Sequence, residues 1–377
     1  MMSLKILFWA NTAFIAYTYA GYPMLVWLLS RLRRQVYCPP LDASALPQVA
    51  VVMAAYNEAQ RIREKIDNLR ALDYPADRLD ILVVSDGSTD GTAQLLQALP
   101  GVRTIACLQR RGKAHALNLA MAAVHAPFTV FCDVRQVIAP DALRHLMSDF
   151  CLPNIGAVSG ELIHRPSGTH AGQTIGLYWR YEKWIRKAES RLHSTVGATG
   201  ALYAIRTADF APLGDNTILD DFEVPMGTVR CGKRVLLDPR AQVYDVLQTE
   251  STAEQRRKIR TLTGNFQTFV RHPWLFVPWA NPAWFQFMSH KVFRLLVPYA
   301  MLLALLCSAV LASPVYRVAL ALQLAFYALA ALAHWAPSTR RYKFVSLAQV
   351  FVDMNAAAVI AAMQFARGRA DARWEKM

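Results

Sequence analysis

The sequence predicts a membrane-anchored α/β protein: an open, mostly parallel sheet with helices on both faces, one membrane helix before it and about three after it. Two observations carry this. Four long apolar stretches stand apart from the rest of the 377-residue chain, and between the first two of them short strand-like runs alternate with helix-period segments. A third observation points to the chemistry: carboxylates follow directly on the strand ends, and ligands of such sheets sit outside the carboxyl ends of the strands.

The apolar stretches are residues 6–29 and 295–316, which carry no charge, 318–336, which carries only His334, and 344–366, which carries only Asp353. Each is close to the ~20 residues a helix needs to cross the hydrocarbon layer. Thr18-Tyr19-Ala20 could pass for a signal-peptide cleavage site, but the apolar run continues to Leu29 behind a single leading Lys5, so an uncleaved anchor is expected. The formal charge of +14 does not read as a nucleic-acid surface. Arg31, Arg33 and Arg34, then Arg256, Arg257, Lys258 and Arg260, then Arg340, Arg341 and Lys343 all flank apolar stretches, as basic residues do on the cytoplasmic side of a membrane. The six cysteines show no C-x-x-C pair and read as small buried hydrophobes of a reducing compartment.

These features divide the chain into an anchor (1–30), a Pro-bearing linker (31–47), a catalytic-type domain (48–251), a basic and aromatic interfacial segment (252–290), three membrane helices (291–366) and a basic tail (367–377). Two topology rules conflict at the last helix. Three crossings after the anchor put the C-terminus outside, whereas Arg367, Arg369, Arg373 and Lys376 favour the inside. Length and hydropathy favour a full span of 344–366 with Asp353 facing the bundle, over a re-entrant segment.

Within the domain, strand-length runs at 49–54, 81–84, 102–107 and 128–132 alternate with helical stretches at 58–72, 92–99 and 113–124. Neither a G-x-G-x-x-G nor a Walker-type P-loop is present, which removes the dinucleotide and P-loop readings. The strand ends read Ala55-Tyr56-Asn57-Glu58, then Ser85-Asp86-Gly87-Ser88-Thr89-Asp90-Gly91, then Cys132-Asp133-Val134-Arg135-Gln136. Gly197-Ala198-Thr199-Gly200 and Leu219-Asp220-Asp221-Phe222-Glu223 follow. In this order and spacing, over about residues 49–260, these elements resemble the GT-A (nucleotide-diphospho-sugar transferase) fold of family 2 glycosyltransferases. The flanking membrane helices resemble its exopolysaccharide and hyaluronan/chitin-synthase-like branch.

The resemblance implies inverting transfer of a sugar from a nucleotide-sugar, expected to be a UDP-sugar, to a growing glycan or lipid-linked acceptor in surface polysaccharide synthesis. It implies a multi-pass protein of the inner membrane with its catalytic domain in the cytoplasm, among membrane lipids and partners in a polysaccharide assembly complex. It assigns Asp86, Tyr56 and Glu58 to the nucleotide, although Asp86-Gly87-Ser88 alone would read as an ordinary turn. Lys113 resembles the basic residue of a G-K-x-x-A-L-N segment and would meet the diphosphate at a helix start; a solvated charge run is the plain alternative.

Asp133 stands at the first carboxylate of a D-x-D motif, whose divalent cation (Mg2+ or Mn2+) bridges the donor diphosphate. Arg135 replaces the second carboxylate. One carboxylate plus phosphates still suffices for a hard cation, or Arg135 itself neutralises the diphosphate. Asp220-Asp221 resembles the E-D motif, with Asp221 as general base and a pKa raised by its neighbour. Gly200 lies where backbone passes close to an acceptor, or in a plain turn. Gln255 and Lys258 stand in place of the processive Q-x-x-R-W; the missing Trp argues against long-chain processivity, and a basic interfacial helix fits the same residues. The rival functions are a processive synthase and a non-catalytic scaffold subunit, the latter motivated by the missing carboxylate.

Overall fold

The computed structural model describes residues 1–34, 37–165, 170–246 and 251–369. It opens on helix α1 (Met2–Arg31), which carries a π-helical turn at Tyr17–Gly21. The domain follows: β1 (Val49–Ala55), α2 (Ile62–Arg70), β2 (Leu79–Asp86), α3 (Thr92–Gln97), β3 (Val102–Cys107), α4 (Lys113–Ala122), β4 (Phe128–Cys132), β5 (Val137–Ile138), α5 (Ala142–Ser148), β6 (Ile155–Arg165), α6 (His170–Leu192), β7 (Leu202–Arg206), α7 (Asp220–Arg230) and β8 (Arg234–Val246). Helix α8 (Ser251–Arg271) leads to α9 (Trp284–Val310), α10 (Pro314–Trp335) and α11 (Lys343–Ala366).

The strands form one eight-stranded sheet in the order β3-β2-β1-β4-β7-β6-β8-β5. β3, β2, β1 and β4 are parallel, whereas β7 runs antiparallel to both β4 and β6. All four expected strands are present within a few residues of their expected ends. β1 is a continuous apolar run because both of its faces are covered: Val49, Val51 and Met53 enter one core, Ala50 and Val52 the other. The second half of the sheet was not expected. β6 and β8 carry glycine, proline and charge among their apolar residues, and β7 has only five residues.

Gly264 of α8 lies so close to Ile218 and Leu219 that a Cβ there would come within 2.6 Å of the Leu219 side chain. The Ile218 N–H donates to Gln267 Oε1 (3.0 Å) and Thr268 Oγ1 to Glu223 Oε1 (3.1 Å). The first half of the expected interfacial segment is therefore packed onto the domain, and its end belongs to α9, which starts at Trp284. The break expected at 316–318 falls earlier, between Val310 and Pro314, because Pro314 opens the next helix. Cys38 and Cys151 form a disulfide (Cα–Cα 6.8 Å), a pairing that their distant, motif-free positions did not suggest.

α1, α9 and α10 meet in an apolar cluster at the end remote from the domain, where Phe8 packs with Ala304, Cys307, Leu311 and Tyr316. By length and composition α11 is as able to cross a membrane as these three. Phe351 packs on Tyr19 (4.9 Å between ring centroids), Asn355 reaches the Tyr19 hydroxyl (3.5 Å), and Phe365 stacks on Phe266 of α8 (6.2 Å). The last turn of α11 thus lies beside α8. The polar residues of α11 find partners: Asp353 pairs with His334 (3.0 Å) and Asn355 with Tyr19. The expected basic tail lies outside the described residues from residue 370 onward.

A cysteine introduced at Gly368 should label with an impermeant maleimide under the same conditions as exposed Cys231 of the domain, either both in intact cells or both only after lysis. Labelling of one without the other would mean that α11 crosses fully.

Candidate active site

The parallel register aligns the carboxyl ends of β1, β2 and β3: Ala55 stands beside Ser85, Ser85 beside Ala106 and Asp86 beside Cys107. The loops after β1 and β2 are stitched together. Asn57 adopts φ 53°, a left-handed conformation that asparagine tolerates, and this lets its N–H donate to Ser88 Oγ (3.1 Å) while its Oδ1 accepts from the Thr89 N–H (2.8 Å). The Glu58 N–H donates to Thr92 Oγ1 (2.8 Å). Tyr56 sits in this frame with the Arg110 guanidinium 3.8 Å above its ring, a cation–π contact.

Asp86 is fully buried at the end of β2. Its Oδ1 accepts from the Arg111 N–H and its Oδ2 from the Gly112 N–H, both at 2.8 Å. The carboxylate expected to face a nucleotide therefore holds the 110–113 loop down on the sheet. Gly87 serves the same closure: at φ 65°, a Cβ would come within 2.4 Å of the Arg110 backbone nitrogen.

That loop delivers Lys113, the first residue of α4, to two carboxylates. Its Nζ lies 3.0 Å from Asp133 Oδ1 at the end of β4 and 3.1 Å from Asp220 Oδ2 at the start of α7. Burial alone would lower the Lys113 pKa; Asp133, Asp220 and Asp221 together outweigh it and push it well above the ordinary value. Arg135 is occupied elsewhere, in an ion pair with Asp245 of β8, to which Gln136 Nε2 also donates (3.2 Å).

Asp221 differs from its neighbour. Its side chain makes no hydrogen bond or ion pair among the described residues, while its carbonyl accepts from the Ala198 N–H (2.7 Å). A Cβ on Gly200 would come within 2.9 Å of Asp221 Oδ2, so that glycine makes room for this carboxylate. Burial first, then repulsion from Asp220, raise the Asp221 pKa to about 6 against the opposing pull of Lys113 and Lys291. Gln255, exposed, and Lys258, half-buried, lie on the first two turns of α8. Among the described residues no three His, Cys, Asp or Glu side chains group closely enough to hold a metal unaided. Asp133 is more exposed than Asp220 (41% against 7%) and still fits a cation whose remaining ligands are phosphate and water.

Two cations near Asp221 escaped sequence reading. Arg186 of α6 donates through Nη1 to Thr199 Oγ1 (2.8 Å) and through Nη2 to Ser159 Oγ (3.3 Å), and Lys291 of α9 lies 5.9 Å from the Phe222 ring centroid. Lys291 could have been noticed as one of several charges directly before an apolar stretch; Arg186 leaves no such signal.

Residues 50–210 match the family described as Glycosyl transferase family 2. The chain carries a family 2 glycosyltransferase domain. The match spans Tyr56, Asp86, Lys113, Asp133 and Gly200 and stops short of Asp220 and Asp221. The chain is 22% identical to the poly-beta-1,6-N-acetyl-D-glucosamine synthase of Staphylococcus aureus (strain COL) over 241 residues, 62% of this chain and 58% of that protein. It is 23% identical to the synthase of that name from Staphylococcus epidermidis, over 60% of this chain and 56% of the relative. The chain therefore spans less than two thirds of the length of these relatives. Among solved structures, a mannosyltransferase from Pyrobaculum calidifontis, in complex with GDP-Man and Mn2+, superimposes with a TM-score of 0.70 at 25% identity, covering 96% of this chain and 99% of the other. The superposition takes in the helices around the GT-A domain as well as the domain itself.

Two outcomes follow for the family 2 domain. Asp86→Ala strips two buried N–H groups of a charged acceptor and should cost about 1.5–3 kcal/mol of stability in denaturant unfolding; an unchanged midpoint would mean the loop is held by other contacts. The Asp220–Asp221 pair, faced by Lys113, Lys291 and Asp133, should give kcat/KM an acidic limb near pH 6, because the base works deprotonated and activity falls as pH drops through that value. A flat profile between pH 5 and 8 would remove the pair from the proton transfer.

Proposed function

We propose that this membrane protein transfers a sugar with inversion from a nucleoside diphosphate sugar to a hydroxyl of a growing glycan or lipid-linked acceptor, at the cytoplasmic face of the inner membrane. The observation that carries the reading is the division of labour between adjacent carboxylates. Asp220 is bound to Lys113, whereas Asp221 is uncommitted, has space made for it by Gly200, and titrates near 6. In this reading Asp221 takes the proton of the acceptor hydroxyl as that oxygen bonds to the anomeric carbon; the carbon–oxygen bond to the diphosphate breaks and the nucleoside diphosphate leaves.

Tyr56 and Glu58 line the nucleotide pocket, and Asp86 serves it through the loop it anchors. Lys113 and the start of α4 meet the diphosphate. A divalent cation, the kind of ion present in the mannosyltransferase structure, would be held by Asp133 and would neutralise charge on the leaving diphosphate. Gln255 and Lys258 reach the diphosphate from α8. Arg135, already matched by Asp245, contributes by fixing the β4 end rather than by meeting phosphate. The relatives' names direct the donor test to N-acetylglucosamine and mannose donors, on UDP and GDP respectively.

Detergent-purified protein should release nucleoside diphosphate from one of these donors in the presence of Mn2+. Asp221→Asn should lower turnover ~10²–10⁴-fold while leaving donor affinity within a few-fold. A variant keeping more than about a tenth of the turnover would move the base to Asp220. No release from any donor in a UDP and GDP panel would favour the scaffold reading.

A further inference from the structure

The chemistry above leaves Arg186 and Lys291 unused, although both adjoin its base. Arg186 grips Thr199, the neighbour of the Gly200 that abuts the Asp221 carboxylate. Lys291 faces the ring of Phe222, the residue after Asp221. Neither makes an ion pair with a carboxylate among the described residues.

Of the carboxylates around them, only that of Asp221, the base, is uncommitted. Glu161 is held by Lys183 (3.3 Å) and Lys187 (3.0 Å). Glu182 is held by Arg294 and His290 (3.1 Å), and Glu189 by His290 (2.7 Å) and the Tyr22 hydroxyl (2.5 Å). The other buried cations of the site, Lys113 and Arg135, each have a carboxylate partner. Two cations that share one uncommitted carboxylate in a largely enclosed region favour the entry of a further anion.

Their position says what kind of anion. Lys291 belongs to α9, which continues directly into the apolar run of the membrane bundle, and Arg186 belongs to α6, whose Ile185 and Ala188 pack against Tyr22 and Val26 of α1. A molecule with a hydroxyl at Asp221 and an anionic group at these cations would leave its remaining length among α1 and α9.

We infer that Arg186 and Lys291 bind the phosphate or diphosphate of an amphiphilic acceptor, so that the sugar is added to a hydroxyl carried close to the charged headgroup of a lipid rather than to a free glycan. This rests on the proposed transfer chemistry and names its acceptor class. The guanidinium fork suits a phosphate, and the hydroxyls of Ser159 and Thr199 hold that fork in place.

The test measures binding separately from turnover. Full-length protein in maltoside micelles is titrated with dodecyl phosphate, dodecanol and inorganic phosphate, and with UDP and GDP. Saturable binding of dodecyl phosphate, tighter than inorganic phosphate and absent for dodecanol, is expected. Lys291→Gln and Arg186→Gln should each weaken it about tenfold or more, with nucleoside diphosphate affinity unchanged within about twofold. Lys291 makes no hydrogen bond among the described residues, so its variant remains informative if Arg186→Gln misfolds. Unchanged dodecyl phosphate affinity in Lys291→Gln overturns the inference. Equal affinity for inorganic and dodecyl phosphate reduces the site to a free-anion site and also overturns it. A parallel loss of UDP or GDP affinity assigns the cations to the donor instead. Asp221→Asn should retain dodecyl phosphate binding, so a failure of the transfer reading and a failure of this one are told apart.

Discussion

The site depends on one ammonium group. Lys113 reaches both the carboxylate that ends β4 and the carboxylate that begins α7, and so ties the parallel half of the sheet to the helix that carries Asp221. Three negative charges crowded at a strand edge would repel one another and take up protons. A cation sits between Asp133 and Asp220, whereas Asp221 has no such partner, and burial first, then Asp220, raise its pKa. The chain of support runs back through Asp86, whose two accepted hydrogen bonds fix the loop from which Lys113 emerges. The carboxylate expected at the nucleotide thus also supports the loop that positions Lys113.

How far the sequence foretold this varies by element. Strands buried on both faces leave long apolar runs, so β1 to β4 were legible to within a few residues. The antiparallel half was not, because Gly156 and Gly160 in β6 and Pro239 in β8 read locally as breakers. The carboxylates of the site were legible as residues; their partners were not. Nothing in Asp86-Gly87 distinguishes a carboxylate facing a nucleotide from one capped by backbone 25 residues away, and Arg135 gave no hint of Asp245 across the sheet. The contacts of α11 were hidden for a related reason: hydropathy measures whether a helix tolerates lipid and says nothing of its packing on Phe266 and Tyr19.

Between the domain and the apolar bundle lies a junction unlike either. Glu182, Glu189, His290, Arg294 and Tyr22 form a connected set of ion pairs and hydrogen bonds shared by α1, α6 and α9. Burial of Glu182 opposes its charge, but Arg294 and His290 outweigh that and hold its carboxyl well below the usual carboxylate range. Such a network makes the docking of domain on helices specific in angle, since a satisfied polar set tolerates sliding less than an apolar contact does.

The π-helical turns of α1 and α9 stand opposite one another at this junction, with the Tyr17 hydroxyl 3.0 Å from Ser289 Oγ. Each such turn inserts one residue into the helical ladder and rotates everything beyond it by about a quarter turn. The two ends of each helix thereby keep separate phases: one end presents its apolar stripe to the bundle, and the other presents Tyr22 or His290 to the domain. Substitutions that retune the outer end to a thicker or thinner bilayer need not disturb the angular setting of the inner one. A pair of facing phase breaks lets the anchor drift with its lipid environment while the catalytic floor keeps its geometry.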